Sequence, residues 1–411
     1  MKLGYTQLLI DLHTAYLDAR RHKRNRGYQQ RFEANLQANL EELATELYNR
    51  TYTPRPSTCF IIEDPKKREV FAADFRDRIV HHLYYNYTHE FFERRFIADS
   101  YSCIKGRGTH YGISRMERHI RQASLGYTER AYVMKIDIRG YFMHINRNIL
   151  LDICLRHIHK MDIRSVDIDF LEYLTREIVL LNPMEGCRIK GNRSDWATLP
   201  HDKSLFHSAQ GCGLPIGNLT SQLFSNIYLN EFDQYVKREL KCRHYGRYVD
   251  DAYIVSPDKE WLQSLLPQLR EFLLTRLGLE IHDGKLCVCE VHSGVEFLGA
   301  YLKPWRKYIR NATLNRIRRK VALIDIQAKS NDDMSIRLRD VLSSFGGIMG
   351  HYKTYRIRRL LFMRMRNVWR YGSFDGEWRK FGVWLNLPCT ANIIQLFHFK
   401  ILVFLLLALI G

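Results

Sequence analysis

Tyr248-Val249-Asp250-Asp251 lies in the run 245–255, Tyr-Gly-Arg-Tyr-Val-Asp-Asp-Ala-Tyr-Ile-Val, and puts two adjacent carboxylates at a turn between two apolar, β-prone segments. Strands fix the direction of side chains and a turn exposes them, so paired acids there suit hard divalent cations bound through oxygen. Acids are also common in turns because they hydrogen-bond the local backbone, so the tetrapeptide alone leaves a plain turn open. Asp137, in the run 135–142 (Lys-Ile-Asp-Ile-Arg-Gly-Tyr-Phe), closes a second apolar segment, where a strand would leave a carboxylate exposed at its tip. Three carboxylates on neighbouring strand tips can hold two Mg²⁺ ions roughly 3.5–4 Å apart, one activating a hydroxyl and one neutralising a triphosphate. Taken singly, Asp137 also reads as an ordinary strand-end turn acid.

A second stretch sits between these acids. Residues 210–222, Gln-Gly-Cys-Gly-Leu-Pro-Ile-Gly-Asn-Leu-Thr-Ser-Gln, combine glycines, a proline and Thr/Ser just before a clear helical period. Backbone can approach a ligand closely in such a loop, although a plain helix cap has the same composition.

Periodicity supplies the elements that must carry these residues. Phe32, Leu36, Leu40, Leu43 and Leu47 recur at helical spacing, predicting a helix over 29–48, and Thr53-Pro54-Arg55-Pro56-Ser57 ends it. Strands are expected at 59–62, 69–72, 132–138, around 248–255 as a pair, and at 279–281, 286–291 and 295–302. Helices are expected at 78–92, 146–157, 220–238 and 260–277, with a loop containing Gly106 and Gly108 and a helical, basic and aromatic pattern past Lys303. The order β, α, β-hairpin, α, β predicts an α+β protein whose small antiparallel sheet carries helices on one face.

At 411 residues the chain has room for two or three domains, and 46% hydrophobic with 26% charged residues is the composition of a folded protein rather than a disordered one. The formal charge of +19 is concentrated late: residues 301–380 hold 20 Lys or Arg against 6 Asp or Glu. Such an excess points to a polyanionic partner, with a solvated basic face or a membrane-surface patch as the plainer alternatives. The run 20–26, Arg-Arg-His-Lys-Arg-Asn-Arg, is open to the same two readings. Nine scattered cysteines without zinc-type spacing fit a reduced, cytoplasmic protein, and Cys287 and Cys289 read as packing on one strand face. Asp11 and His13 interrupt the first apolar residues, so no signal peptide is expected. The apolar end at 401–410 is too short to span a bilayer, which takes about 20 residues. A tail anchor, a docking strand or helix, and a non-native reading-frame end all fit it; no membrane partner or role is assigned.

Taken together, the motifs over about residues 55–360 resemble those of reverse transcriptases, in that family's order. Lys66-Lys67-Arg68 through Asp77-Arg78-Ile79-Val80 looks like the fingers motif that holds the incoming triphosphate. Asp137 to Phe142 looks like the first palm motif, and Tyr248 to Asp251 like the second acidic one. Gly284-Lys285 and Phe297-Leu298-Gly299 look like the later palm motif and the primer grip. The resemblance implies a right-hand polymerase fold: a helical region at 1–55, fingers at 56–130, a palm at 131–302 with an interleaved fingers segment at about 145–205, a basic helical thumb at 303–385, and the apolar tail at 386–411.

Ser221-Gln222, where retroviral and group II intron enzymes usually carry Ser-Pro, is similar to the reverse transcriptases of diversity-generating retroelements, as are 199–205 and 223–230. This implies RNA-directed DNA synthesis from a template RNA, error-prone at template adenines, with a small basic oligomeric accessory protein as partner. A retron-like or defence-associated reverse transcriptase is the rival enzyme, and an inert RNA-binding relic of the fold the rival non-enzyme. Carried over, Asp137, Asp250 and Asp251 with the carbonyl of Ile138 would bind two Mg²⁺, or Mn²⁺. Lys66 and Arg68 would grip phosphates of the dNTP, which Phe142, Ile216, Gly217, Ser221 and Gln222 would face. Phe142 is the bulky residue that would exclude a ribose 2′-hydroxyl, with core packing as its alternative. Lys285 would protonate the leaving pyrophosphate, unless it is merely a solvated lysine. Tyr248, Phe297, Leu298, Gly299, Arg316, Arg319, His351, Tyr352, Tyr355 and Arg356 would contact the RNA/DNA hybrid, with Gly346, Gly347 and Gly350 letting backbone come close to a strand. Ile216 stands where retroviral enzymes carry a glutamine that hydrogen-bonds the nucleotide; its loss would remove on the order of 1–3 kcal/mol of discrimination.

Overall fold

In the computed structural model, which describes residues 3–21, 26–64, 66–162, 167–330 and 334–384, the chain divides into two units, 1–293 and 294–411. Part of the basic run at 20–26 and the apolar tail at 386–411 lie outside the described residues.

The first unit begins with three helices, α1 (Tyr5–Arg20), α2 (Gly27–Glu33) and α3 (Leu36–Tyr48). The single helix expected over 29–48 is therefore two, broken at 34–35, although its apolar stripe still faces one core. Strands β1 (Thr58–Ile62) and β2 (Arg68–Ala72) pair antiparallel, and Asp74 caps α4 (Phe75–Glu93) by accepting from the Arg76 amide at 3.1 Å. α5 (Thr109–Ala123) follows the Gly106 and Gly108 loop; its stripe includes a buried His119 and Gly112, which blunt the apolar signal in the sequence. Then come β3 (Tyr132–Asp137), the short α6 (Tyr141–His144), α7 (Arg147–Ile158), α8 (Ile168–Val179) and β4 (Arg188–Ile189), which pairs with β1. α5 and α8 were not anticipated from the sequence.

α9 (Leu219–Gln234) runs on into a π-helical turn, and leads to β5 (His244–Tyr248) and β6 (Asp251–Ser256). The helix expected at 260–277 divides into α10 (Lys259–Ser264) and α11 (Leu266–Leu277), since Pro267 starts a new helix rather than continuing one. β7 (Cys287–Glu290) completes a four-stranded antiparallel sheet in the order β5-β6-β3-β7. Segment 279–281 is not a strand of this sheet; it makes one isolated bridge, Ile138 to Ile281. Period-two alternation sends Met134, Ile136, Ala252 and Ile254 into the main core with α4, α7, α9 and α11. The opposite face is also partly covered, because Tyr253 reaches His119 of α5 (3.1 Å).

In the second unit the strand expected at 295–302 is a hairpin, β8 (Val295–Phe297) and β9 (Ala300–Lys303), because Leu298 and Gly299 both adopt positive φ, 48° and 83°. β10 (Arg306–Ile309) pairs with β9, so the helical pattern starts later than Lys303. Helices α12 (Asn311–Ser330), α13 (Ser335–Gly350) and α14 (Tyr355–Met363) follow, and a hairpin of β11 (Gly372–Phe374) and β12 (Phe381–Val383) ends the described chain. Residues 294–302, expected at the end of the palm, belong to this unit. Among the described residues no helix is long and apolar enough to cross a membrane.

Candidate functional site

Strand register brings the three acids to one end of the four-stranded sheet. Asp137 ends β3 directly opposite Asp251 of β6, and Tyr248 of β5 also pairs with Asp251, which leaves Val249 and Asp250 as a two-residue connection. Asp251 is thus a strand residue and Asp250 a turn residue. Asp137 is 8% exposed, not the solvent-facing tip expected, because the chain beyond it stays paired: the His282 amide donates to the Asp137 carbonyl (2.8 Å) and the Arg139 amide to that of Glu280 (2.9 Å). In such a non-hydrogen-bonded pair with Ile281, the carbonyl of Ile138 points away from segment 280–282, to the side on which β6 lies.

Electrostatics marks the cluster as strained by its own charge. Burial, then the charges of Asp251 and Asp137, pushes the Asp250 carboxyl up to about 6. Burial and the charge of Asp137 likewise raise Asp251, while Lys135, Lys285 and Lys66 oppose them. Lys285 donates to Asp137 Oδ1 at 2.6 Å. Burial lowers the Lys285 ammonium, but that hydrogen bond and the three carboxylate charges together raise it. Among the described residues no three carboxylate, imidazole or thiol groups converge as a closed metal cage, this trio included. The donor chemistry nonetheless fits a hard cation: all the donors are oxygen, and a positive ion would relieve the repulsion that raises Asp250 and Asp251.

The residues expected to face a nucleotide are tied to one another through β2 and the loop before α9, and the Lys66 charge reaches Asp251. The Phe71 amide donates to the Ile216 carbonyl (2.9 Å), the Ala73 amide to Asn218 Oδ1 (3.2 Å), and the Leu214 amide to the Phe142 carbonyl (2.8 Å). Phe142 and Ile216 pack on one apolar cluster with Cys59, Phe71, Met143 and Leu205. Gly217 has φ +128°, and a Cβ there would stand 2.8 Å from Val70 Cγ1, so glycine is what lets the loop lie on β2. Ser221 is buried and Gln222 exposed in the first turn of α9. Lys66 and Arg68 are exposed at the start of β2.

Sequence reasoning missed two residues that hold this arrangement. Glu69 is buried and accepts from Trp196 Nε1 (2.7 Å), Ser204 Oγ (2.7 Å) and the Leu205 amide (2.6 Å), clamping β2 to residues 196–205. Arg247, 1% exposed, lies beside the acidic turn. Each was visible only as a lone charge inside a β-prone run.

In the second unit, Leu298 and Gly299 form the β8–β9 connection, and the Arg310 amide donates to the Gly299 carbonyl (2.9 Å). Arg316, Arg319, His351, Tyr355 and Arg356 are exposed. Phe297 and Tyr352 are not: both rings are buried, so they serve packing rather than presenting a surface to nucleic acid. The expectation for Gly346 and Gly350 is also corrected. A Cβ at Gly346 would run into the backbone of Arg379, and one at Gly350 would lie 3.1 Å from the Arg379 side chain, so these glycines admit the segment before β12.

Residues 64–302 match the family described as reverse transcriptase (RNA-dependent DNA polymerase). The chain is 25% identical over 304 residues to protein YkfC of Escherichia coli K12, covering 65% of this chain and 72% of that protein. Among solved structures it is similar to apo telomerase from Candida tropicalis, truncated from its C-terminal domain, with a TM-score of 0.43, 12% identity, and 64% of this chain and 58% of that one covered. Telomerase from Candida albicans in complex with a fragment of telomeric RNA gives a TM-score of 0.42 at 11% identity, covering 77% and 57%. The chain spans under three fifths of the length of either telomerase chain.

Proposed function

From the premise that the chain belongs to the reverse transcriptase family, the RNA-directed DNA polymerases, we propose that it extends DNA on a template RNA with Asp137, Asp250 and Asp251 as the catalytic carboxylates. The observation that carries this reading is the register that sets Asp137 opposite Asp251, with Asp250 one residue away in the turn. These carboxylates, with the Ile138 carbonyl, would hold Mg²⁺, which when bound lowers the pKa of the attacking hydroxyl and offsets charge on the triphosphate. Lys66 and Arg68 neutralise phosphate oxygens from the β2 side. Phe142 and Ile216 bound the base and sugar with apolar surface. The Lys285 ammonium, kept protonated by Asp137, is able to give a proton to the departing pyrophosphate.

The finer reading is a diversity-generating retroelement enzyme, supported by Ser221-Gln222 at the start of α9 and by an aliphatic Ile216 that packs with Phe142 on the apolar cluster of Cys59, Phe71, Met143 and Leu205. It carries with it a structured template RNA and a small basic accessory protein. Primer extension on poly(rA)/oligo(dT) with Mg²⁺, with the accessory protein present, tests the main claim: wild type extends and Asp250→Asn does not, and equal activity in the two sinks it. Misincorporation opposite template adenine tests the finer one, since Ile216→Gln should lower it and equal error rates remove this residue from the explanation.

A further inference from the structure

The turn that carries Asp250 is an unfavourable one for its sequence. Val249 has φ +56°, at the first position of a two-residue hairpin connection, where a turn of this sign normally takes glycine. A β-branched residue reaches that conformation only where its surroundings impose it. Val249 packs against the main core, and its carbonyl accepts from Arg247 Nη1 at 3.0 Å.

All five donors of the Arg247 guanidinium are matched. Nε and Nη2 form a fork on Asp233 (2.8 and 2.7 Å), Nη1 also reaches Asn226 Oδ1 (3.3 Å), and Nη2 reaches Ser100 Oγ (3.4 Å). Asp233 and Asn226 lie seven residues apart, on one face of α9. Tyr245 donates to the same Asp233 carboxylate (2.6 Å), and the Arg247 backbone is held by Asp99 and Tyr101 (2.9 and 3.0 Å). α9 in turn begins at the loop that β2 holds through Ile216 and Asn218.

We propose that Arg247 is a positioning residue: by holding the Val249 carbonyl while anchored on Asp233 and Asn226 of α9, it fixes the turn in the conformation that sets Asp250 and Asp251 beside Asp137. The proposal rests on the polymerase reading for its consequence in catalysis, but not for its consequence in cation binding. Replacing both ion-pair partners with apolar residues, Arg247→Met with Asp233→Leu, takes away the buried charge without stranding its partner. The pair is made in a Tyr245→Phe background, which removes the hydroxyl otherwise left without its Asp233 acceptor, and the Tyr245→Phe chain is the reference for folding. The Val249 carbonyl then has no donor.

The expected result is an unfolding temperature like that of the Tyr245→Phe chain with Mn²⁺ affinity, followed by electron paramagnetic resonance, down about 10-fold or more. Half-saturating Mg²⁺ rises, kcat falls, and KM for dTTP stays within about twofold. A double variant in that background that matches the Tyr245→Phe chain in Mn²⁺ affinity and kcat overturns the proposal. Should that variant not fold, Arg247→Lys decides: it keeps the charge but cannot span Asp233 and Val249 together. Faster amide exchange over residues 248–252 with weaker Mn²⁺ binding supports the role, and unchanged values of both overturn it. A wild type that binds Mn²⁺ but does not extend a primer refutes the polymerase reading and leaves the Mn²⁺ and exchange comparisons to judge Arg247.

Discussion

Arg247 in the first unit and Arg358 in the second are each about 1% exposed, yet they are satisfied by different chemistry. Arg247 forks onto the buried carboxylate of Asp233; burial alone would lower its pKa, but that ion pair outweighs it and the value is raised. Arg358 makes its hydrogen bonds to neutral acceptors, the Glu377 carbonyl (3.1 and 2.9 Å), the Met349 carbonyl (3.3 Å) and Thr354 Oγ1 (3.0 Å). Among the described residues it has only the exposed Glu377 carboxylate as an ion-pair partner, at 3.8 Å; burial and Arg379 outweigh that charge and lower its pKa. The first arrangement fixes a charged group next to a strained acidic turn. The second closes the end of α13 and the start of α14 onto the segment before β12. The units as wholes differ in the same way: register gathers acids at one end of the sheet of the first, while Arg316, Arg319 and Arg356 lie spread over exposed helix faces of the second.

The contrast can be broken at several strengths. Asp250→Asn removes one of the three carboxylates at the end of the sheet and should cost at least about 10³-fold in primer extension, on the order of 4 kcal/mol of barrier, with little change in thermal unfolding. Arg247→Met strands Asp233 in the interior and should cost about 3–5 kcal/mol of stability in denaturant unfolding. Arg358→Met leaves two carbonyls and the Thr354 hydroxyl short of a donor and a Glu377 carboxylate that water can solvate, at about 1–3 kcal/mol; equal losses would erase the distinction between the two sites.

Acid should remove the stability that the buried histidines of the first unit contribute. Burial pulls His119 down to about 4 and His81 to about 3, so between those values and 6.5 the unfolded chain binds more protons than the folded one. The histidine contribution is then fully present above about pH 6.5 and is lost as the pH drops toward 4, by about 3 kcal/mol from His119 alone. Asp77 and Asp250, which burial raises to about 6, take up protons in the folded state over the lower part of that range and work the other way. Asp99 at 3.5 Å opposes the His119 shift, and His244, Arg115 and Lys237 reinforce it. Denaturant unfolding of wild type and His119→Gln from pH 7 to 4.5 checks it: the variant should gain in stability relative to wild type as the pH falls. The smallest effect is expected on the second unit: Arg316→Gln with Arg319→Gln should weaken RNA/DNA binding several-fold at moderate salt and reduce the slope of log K against log salt by about 2. An unchanged slope would remove α12 from the nucleic-acid surface.

Much of the site was legible because its signals are local. The run 245–255 announces two strands around a turn by alternation and β-branching, and the loop 210–222 announces a helix start by its glycines and Thr/Ser. The hairpin at 295–303 was not legible, since its turn is formed by Leu298 adopting a conformation that its side chain disfavours. Phe297, Tyr352, Gly346 and Gly350 were misjudged for a related reason: a basic, aromatic pattern looks the same whether its rings face a partner or the core.

The sequence by itself determined which groups are available to react: three carboxylates at apolar segment ends, a lysine, and a glycine-bearing loop, because side-chain chemistry and short-range periodicity are properties of the chain alone. Tertiary structure decided that Asp137 stands opposite Asp251, that β2 hydrogen-bonds the loop carrying Ile216, and that Arg247 reaches both Asp233 and Val249. Those relations depend on strand register and on contacts between residues far apart in the chain. Shifting the β3–β6 register by one residue would leave every local pattern intact while turning the opposed side chains to the other face.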